Sequence, residues 1–226
     1  MPANDEGSTE RAAEARARHE VLETALAMSR LGLSPGRSGN VSRRFGDGML
    51  ITPSGMAYDA IRPADIVFVA EDGSVAEGQR KPSSEWLFHL AAYRARTDRG
   101  AVVHTHSMHA TVLACAGKPI PAFHYMVAIA GGKTIPLVPY ATFGTEKLAR
   151  FVAKGLKKRD ACLMANHGQI ALGDTCAKAL DLAAEVEILA EQYCKVLCLG
   201  KPILLADAEM KIVLARFKSY GQNAQK

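Results

Sequence analysis

Val41-Ser42-Arg43-Arg44-Phe45-Gly46-Asp47-Gly48-Met49-Leu50-Ile51-Thr52 reads as two short strands joined by a tight turn. Val41 to Phe45, the turn Gly46-Asp47-Gly48 and Met49 to Thr52 are predicted as a hairpin. Strands paired this closely in sequence are antiparallel, because parallel neighbours need a crossover of a dozen residues or more. Upstream, Thr9 to Leu31 is rich in Ala, Glu and Arg and keeps a helical period, with Gly32 placed to end the helix. Residues 1–8 are expected to be disordered and 9–226 to form one domain. Downstream, Ile66 to Ala70 is a further strand, and Glu71-Asp72-Gly73-Ser74 is expected to turn it back into Val75-Ala76-Glu77.

The rest alternates. A helix is predicted from Ser84 to Arg96, a strand from Ala101 to His106 and a helix from Met108 to Ala116. A strand (Thr134 to Val138), a helix (Thr145 to Lys158) and a strand pair (Ala161 to Ala165, Gln169 to Leu172) follow, then helices from Cys176 to Leu199 and from Ala208 to Tyr220. Early hairpins with helices around them predict a single-domain, three-layer α/β/α fold on a mixed sheet rather than a doubly wound parallel one.

With 226 residues, 48% of them hydrophobic, the chain can bury a full core. Its formal charge of +5 is diffuse and aromatics are only 6%, which fits a phosphorylated metabolite better than a nucleic-acid groove. Lys157-Lys158-Arg159, the one clear basic run, falls where a helix should end and complements its dipole. Five cysteines lack the paired spacing of a disulfide framework or a zinc knuckle. Met1 to Glu6 has no basic and apolar leader, and no apolar run reaches a membrane span, so a soluble, cytoplasmic protein is expected.

Three segments carry the chemistry. In Val102-Val103-His104-Thr105-His106 two imidazoles one residue apart project from the same face of a strand. Pro82-Ser83-Ser84-Glu85 places a carboxylate in the first turn of a helix, and Ala165-Asn166-His167-Gly168 adds a third histidine at a strand end. Alone, each reads as ordinary: a polar strand end, or a glutamate answering a helix dipole. Together, three imidazoles and a carboxylate suit a borderline divalent cation such as Zn2+. Glu85 then has two roles open to it, metal ligand and general base.

Ser83 and Ser84 at a helix start, with Gly39-Asn40 and Thr52-Pro53-Ser54-Gly55, offer hydroxyls and free N–H groups for a phosphate, although each turn singly is also a plain tight loop. His89 and His109 read as polar packing residues, and His19 as surface. After Pro121-Ala122-Phe123, Tyr125 either buries a satisfied hydroxyl or donates a proton; spacing does not choose.

These segments, with Ser38 to Ser42, Met49 to Gly55, Pro82 to Trp86, Val103 to His106, Ile120 to Met126, Pro139 to Thr145, Asn166 to Gly168 and Phe217 to Gly221, resemble the class II aldolase/adducin family from about Leu31 to Gly221. The resemblance implies that sheet to be mainly antiparallel and the C-terminal tail mobile. It places His104, His106, His167 and Glu85 on zinc positions, with Mn2+ or Co2+ as other possible ions, and gives Glu85 the acid/base role. By the same resemblance Gly39, Asn40, Ser54, Gly55, Ser83 and Ser84 bind the substrate phosphate. Tyr125, from an adjacent subunit of a homotetramer, is catalytic, and Phe143, Phe217 and Tyr220 lie near an aldehyde pocket.

The reaction implied is metal-assisted cleavage of a ketose 1-phosphate, such as L-fuculose 1-phosphate, to dihydroxyacetone phosphate and an aldehyde, L-lactaldehyde. Alternatives within the family are cleavage of 5-deoxy- or 5-(methylthio)-pentulose 1-phosphates, 4-epimerisation of pentulose 5-phosphates, and a non-catalytic assembly role of the adducin type. The sequence departs from the family pattern at Arg37-Ser38, at Asn166, often histidine, and in the stretch before Arg18.

Overall fold

In the computed structural model, which describes residues 6–217, seven strands form one sheet. The hairpin of β1 (Asn40–Phe45) and β2 (Gly48–Ile51) is present, with Phe45 opposite Gly48. The turn is therefore Gly46-Asp47 alone, and Gly46 takes the positive φ (51°) that the first central position of a type II′ turn requires. β3 (Val67–Ala70) pairs with β2 at one edge, and β4 (Ala101–Thr105) pairs with β1 in the middle. Beyond β4 come β7 (Gly168–Gly173), β6 (Ala161–Met164) and the two-residue β5 (Leu137–Val138). The order is β3-β2-β1-β4-β7-β6-β5, antiparallel throughout except for the β5–β6 pair.

Helices cover both faces. Val21, Ala25 and Met28 of α1 (Glu6–Arg30), Leu113 of α3 (Met108–Cys115) and Val186 and Leu189 of α5 (Cys176–Leu199) pack with Val41, Leu50 and Val103. On the other face Phe88 and Tyr93 of α2 (Trp86–Ala95) and Leu148 and Val152 of α4 (Glu146–Leu156) pack with Met49, Ile51 and Val102. Val102 and Val103 go to opposite faces because a strand has period two. Each such side chain, fully buried, contributes about 1.5–3 kcal/mol of transfer free energy. α6 (Asp207–Phe217) lies against the 3-10 segment Tyr125–Ala130 through Met210, Ala122 and Ala128.

Several expectations are corrected. Residues 6–8, expected to be disordered, begin α1. Val75 to Glu77 forms no strand, because the Gln79 side chain takes the N–H and C=O of Phe68 (2.8 and 3.3 Å), the edge groups a further strand would have used. Within Thr134 to Val138 only Leu137 and Val138 join the sheet, while Ile135 makes an isolated bridge to Ile120 across the break at Pro136. The predicted end of the last helix, Tyr220, and the tail beyond Phe217 lie outside the described residues. All five cysteines are free, and among the described residues no helix is long and apolar enough to cross a membrane.

Candidate active site

β4 is the central strand, and its end delivers the first ligands. His104 is its fourth residue, fully buried, and its Nδ1–H donates to the carbonyl of Gln169 on β7 (2.7 Å). That bond puts a hydrogen on Nδ1 and turns Nε2 into the cluster, the usual orientation of a metal-binding imidazole. His106 falls just past the strand, and its Nε2 lies 3.0 Å from His104 Nε2.

His167 sits in the loop between β6 and β7, not on a strand. Its neighbour Asn166 is the one non-glycine residue with positive φ (53°) among the described residues, and this tight turn swings the imidazole toward β4. Gly168 follows because a Cβ there would stand 2.4 Å from the Thr105 carbonyl oxygen.

Glu85 is at the N-cap of α2 rather than in its first turn, and its side chain makes no capping bond. The carboxylate is directed into the cluster instead, with Oε1 2.9 Å from His167 Nε2 and Oε2 3.2 Å from His104 Nε2. Burial of Glu85 opposes its ionisation, but positive charge and hydrogen-bond donation at the His104 and His167 positions outweigh this and hold it below the usual carboxylate range. Burial, with the neighbouring His104 and His167, pushes His106 down to about 3, so at neutral pH it is an uncharged lone-pair donor.

The donor atoms of Glu85, His104, His106 and His167 all lie within 4.8 Å of one another. Four-coordinate zinc, with bonds of about 2.0–2.1 Å, sets its ligands roughly 3.3 Å apart. The separations of 3.0, 2.9 and 3.2 Å and the inward-facing Nε2 of His104 thus fit one small divalent cation.

A cavity of about 310 Å3 opens over the cluster, lined by Glu85, His106 and His167 and by every residue predicted for phosphate binding: Gly39, Asn40, Ser54, Gly55, Ser83 and Ser84. Backbone bonds from Ser54 N–H to Lys81 (2.9 Å) and from Ser83 N–H to Thr52 (3.0 Å) tie two of the turns together. The third is joined to them by Arg37, whose Nη1 donates to the Gly55 carbonyl (2.8 Å), and is held from below by the Tyr58 hydroxyl donating to the Gly39 carbonyl (2.6 Å). Among the described residues lining the cavity, Arg37 carries the one permanent positive charge and no lysine is present.

Phe143 is at the cavity mouth, as is Tyr140, which sequence reasoning passed over although it stands in the Pro139 to Thr145 segment. Tyr125 and Phe217 are not brought there: both line a separate groove beside α6, and Tyr125 is exposed. Tyr220 is outside the described residues.

The family model described as Class II Aldolase and Adducin N-terminal domain matches residues 19–194, and the chain belongs to that family. A Rhodospirillum rubrum protein named 5-methylthioribulose-1-phosphate/5-deoxyribulose-1-phosphate aldolase is 53% identical over 208 residues, covering 92% of this chain and 94% of that protein. An Escherichia coli O6:H1 protein named L-fuculose phosphate aldolase is 50% identical over 203 residues, covering 89% and 94%. The solved structure of an L-fuculose 1-phosphate aldolase matches with a TM-score of 0.86 at 40% identity, over 90% of this chain and 96% of that one. The chain is therefore a class II aldolase, a lyase of the metal-dependent kind, with a Glu/His group suited to the ion.

Proposed function

We propose that the protein reversibly cleaves a ketose 1-phosphate, with L-fuculose 1-phosphate as the first candidate, to dihydroxyacetone phosphate and an aldehyde. The observation that carries this is one cavity lined by the three small-polar turns and by Glu85, His106 and His167, whose cluster the buried His104 completes. Zn2+ is the ion proposed, held by these four residues. When bound, it supplies a Lewis acid that draws electron density from the substrate carbonyl.

The phosphate would sit against Ser54, Gly55, Ser83, Ser84 and Asn40, with Arg37 adding charge. This anchors the dihydroxyacetone end and leaves Glu85 beside the carbon whose bond breaks. Glu85, a ligand of the ion at rest, would leave it when substrate arrives and move the proton at that carbon. The aldehyde end points toward Tyr140 and Phe143. Tyr125 would serve the aldehyde oxygen from a neighbouring copy in a homotetramer, since its own chain places it on another groove. Phe217 and Tyr220 would reach the pocket from the tail. A soluble, cytoplasmic enzyme is consistent with this chemistry.

A second reading is favoured by the Rhodospirillum rubrum relative: the aldehyde half belongs to a 5-deoxy- or 5-(methylthio)-pentulose 1-phosphate. A panel of ketose 1-phosphates and pentulose 5-phosphates, with and without chelator, separates these. Chelator-sensitive release of dihydroxyacetone phosphate is expected, fastest with the true aldehyde half. Interconversion of pentulose 5-phosphates without release would overturn the proposal in favour of an epimerase, and a folded protein that binds no divalent ion would move it to an assembly role.

A further inference from the structure

Behind Glu85, a hydrogen-bonded row of four side chains starts at Asn40 in the cavity wall and runs into the core between β1 and α2. Asn40 Nδ2 donates to Glu85 Oε2 (2.8 Å), and Asn40 Oδ1 is 2.6 Å from His89 Nε2. His89 Nδ1 is 2.7 Å from Ser42 Oγ, which is 2.9 Å from the Tyr93 hydroxyl. All four are buried, His89 and Ser42 completely. The row has a simple origin in the sequence: Asn40 and Ser42 are two apart on one face of β1, while His89 and Tyr93 are four apart on one face of α2.

Each bond has a forced direction. A carboxylate only accepts, so Asn40 must present its amino group to Glu85 and its carbonyl to His89. An amide carbonyl also only accepts, so His89 carries its hydrogen on Nε2. Burial, reinforced by His104, pushes His89 down to about 3, and the neutral ring has one N–H. Nδ1 is then bare, Ser42 donates to it, and Tyr93 donates to Ser42. Burial, the largest influence on Tyr93, raises its hydroxyl well above the usual phenol value and keeps that proton in place.

We infer that His89 is a positioning residue for Glu85: it locks the Asn40 amide with the amino group toward the carboxylate, and Ser42 and Tyr93 select the tautomer that does so. With the amide reversed, a carbonyl oxygen would face Glu85 Oε2 and push the carboxylate from its place. The inference rests on the acid/base reading of Glu85. A row that only joined β1 to α2 would contribute stability and nothing to turnover.

The first test is nitrogen NMR of histidine-labelled, metal-free protein at neutral pH. The His89 ring is expected neutral with hydrogen on Nε2; hydrogen on Nδ1, or a doubly protonated ring, overturns the inference. The second compares His89→Leu, His89→Gln and the milder Ser42→Ala. His89→Leu is expected to lower kcat about tenfold or more, with bound-metal stoichiometry little changed and KM raised by a smaller factor, because Asn40 also faces the proposed phosphate site. His89→Gln, whose amide can still donate to Asn40, should recover part of the loss, and Ser42→Ala should admit the Nδ1–H tautomer and lower kcat less. Unchanged kcat in folded His89→Leu or Ser42→Ala protein, with only a lower Tm, overturns it. Normal turnover in Glu85→Gln would instead remove the acid/base reading on which it stands.

Discussion

The floor and the mouth of the cavity are built on opposite principles. On the floor, His104, Asn40 and Glu85 are at most 6% exposed and are fixed by one another, by Gln169 and by the row running back to Tyr93. At the mouth, Tyr140 and Phe143 are 56% and 62% exposed. A charged cluster in the core keeps its geometry because neighbours on two strands, a helix cap and a hairpin loop over-determine it. An exposed aromatic is free to vary with the molecule it meets.

Substitutions on the floor should therefore damage the reaction, and substitutions at the mouth should retune it. The largest effect is expected from Glu85→Gln, which keeps the shape and removes the proposed proton acceptor. Cleavage should fall by about 10²–10⁴, followed by coupled detection of dihydroxyacetone phosphate, while the melting curve still shows a cooperative fold. Near-normal turnover would break the distinction at once.

Tyr125→Phe comes next. If that hydroxyl serves the aldehyde half, as proposed, the change should slow cleavage more than enolisation of dihydroxyacetone phosphate; equal losses in both assays contradict it. If Tyr125 acts on a neighbouring copy, mixing Glu85→Gln and Tyr125→Phe chains under exchange should regenerate wild-type sites, up to about a quarter of the total in a random cyclic assembly. Activity of the mixture no greater than that of its parts would place the tyrosine elsewhere.

Arg37→Ala should raise KM for the phosphorylated substrate about tenfold or more, the scale of one charge-assisted hydrogen bond, about 1.5–3 kcal/mol, with kcat little changed. The smallest effect belongs to Phe143→Ala: a change in the ratio of rates between aldehydes, with stability altered by no more than about 0.5 kcal/mol because the ring is exposed. A loss of all activity there would show that the mouth is as constrained as the floor.

Local signals in the sequence reached most of the floor. The hairpin, the alternation in Val102 to His106 and the Ser, Gly and Asn turns are patterns of a few residues, and the fold and ligand group follow them. What was hidden is non-local. His89 reads as a packing histidine from α2 alone, and its role emerges only when β1 and α2 are seen to present Asn40, Ser42, His89 and Tyr93 to one another. Glu85 stands at the N-cap, one residue outside the predicted first turn, and its carboxylate is held by the imidazoles rather than by the helix. The two-residue β5 and the absent strand at Val75 to Glu77 were set by Pro136 and by a single Gln79 side chain.

Hydrogen exchange of dihydroxyacetone phosphate alone, in deuterated buffer, isolates the chemistry of the floor from the choice of aldehyde. The protein should catalyse exchange of one carbon-bound hydrogen, lose this with chelator, regain it with Zn2+, and lack it in Glu85→Gln. Exchange that survives complete chelation, or persists in Glu85→Gln, would contradict the assignment of the Glu85, His104, His106 and His167 cluster as the metal-dependent catalytic centre.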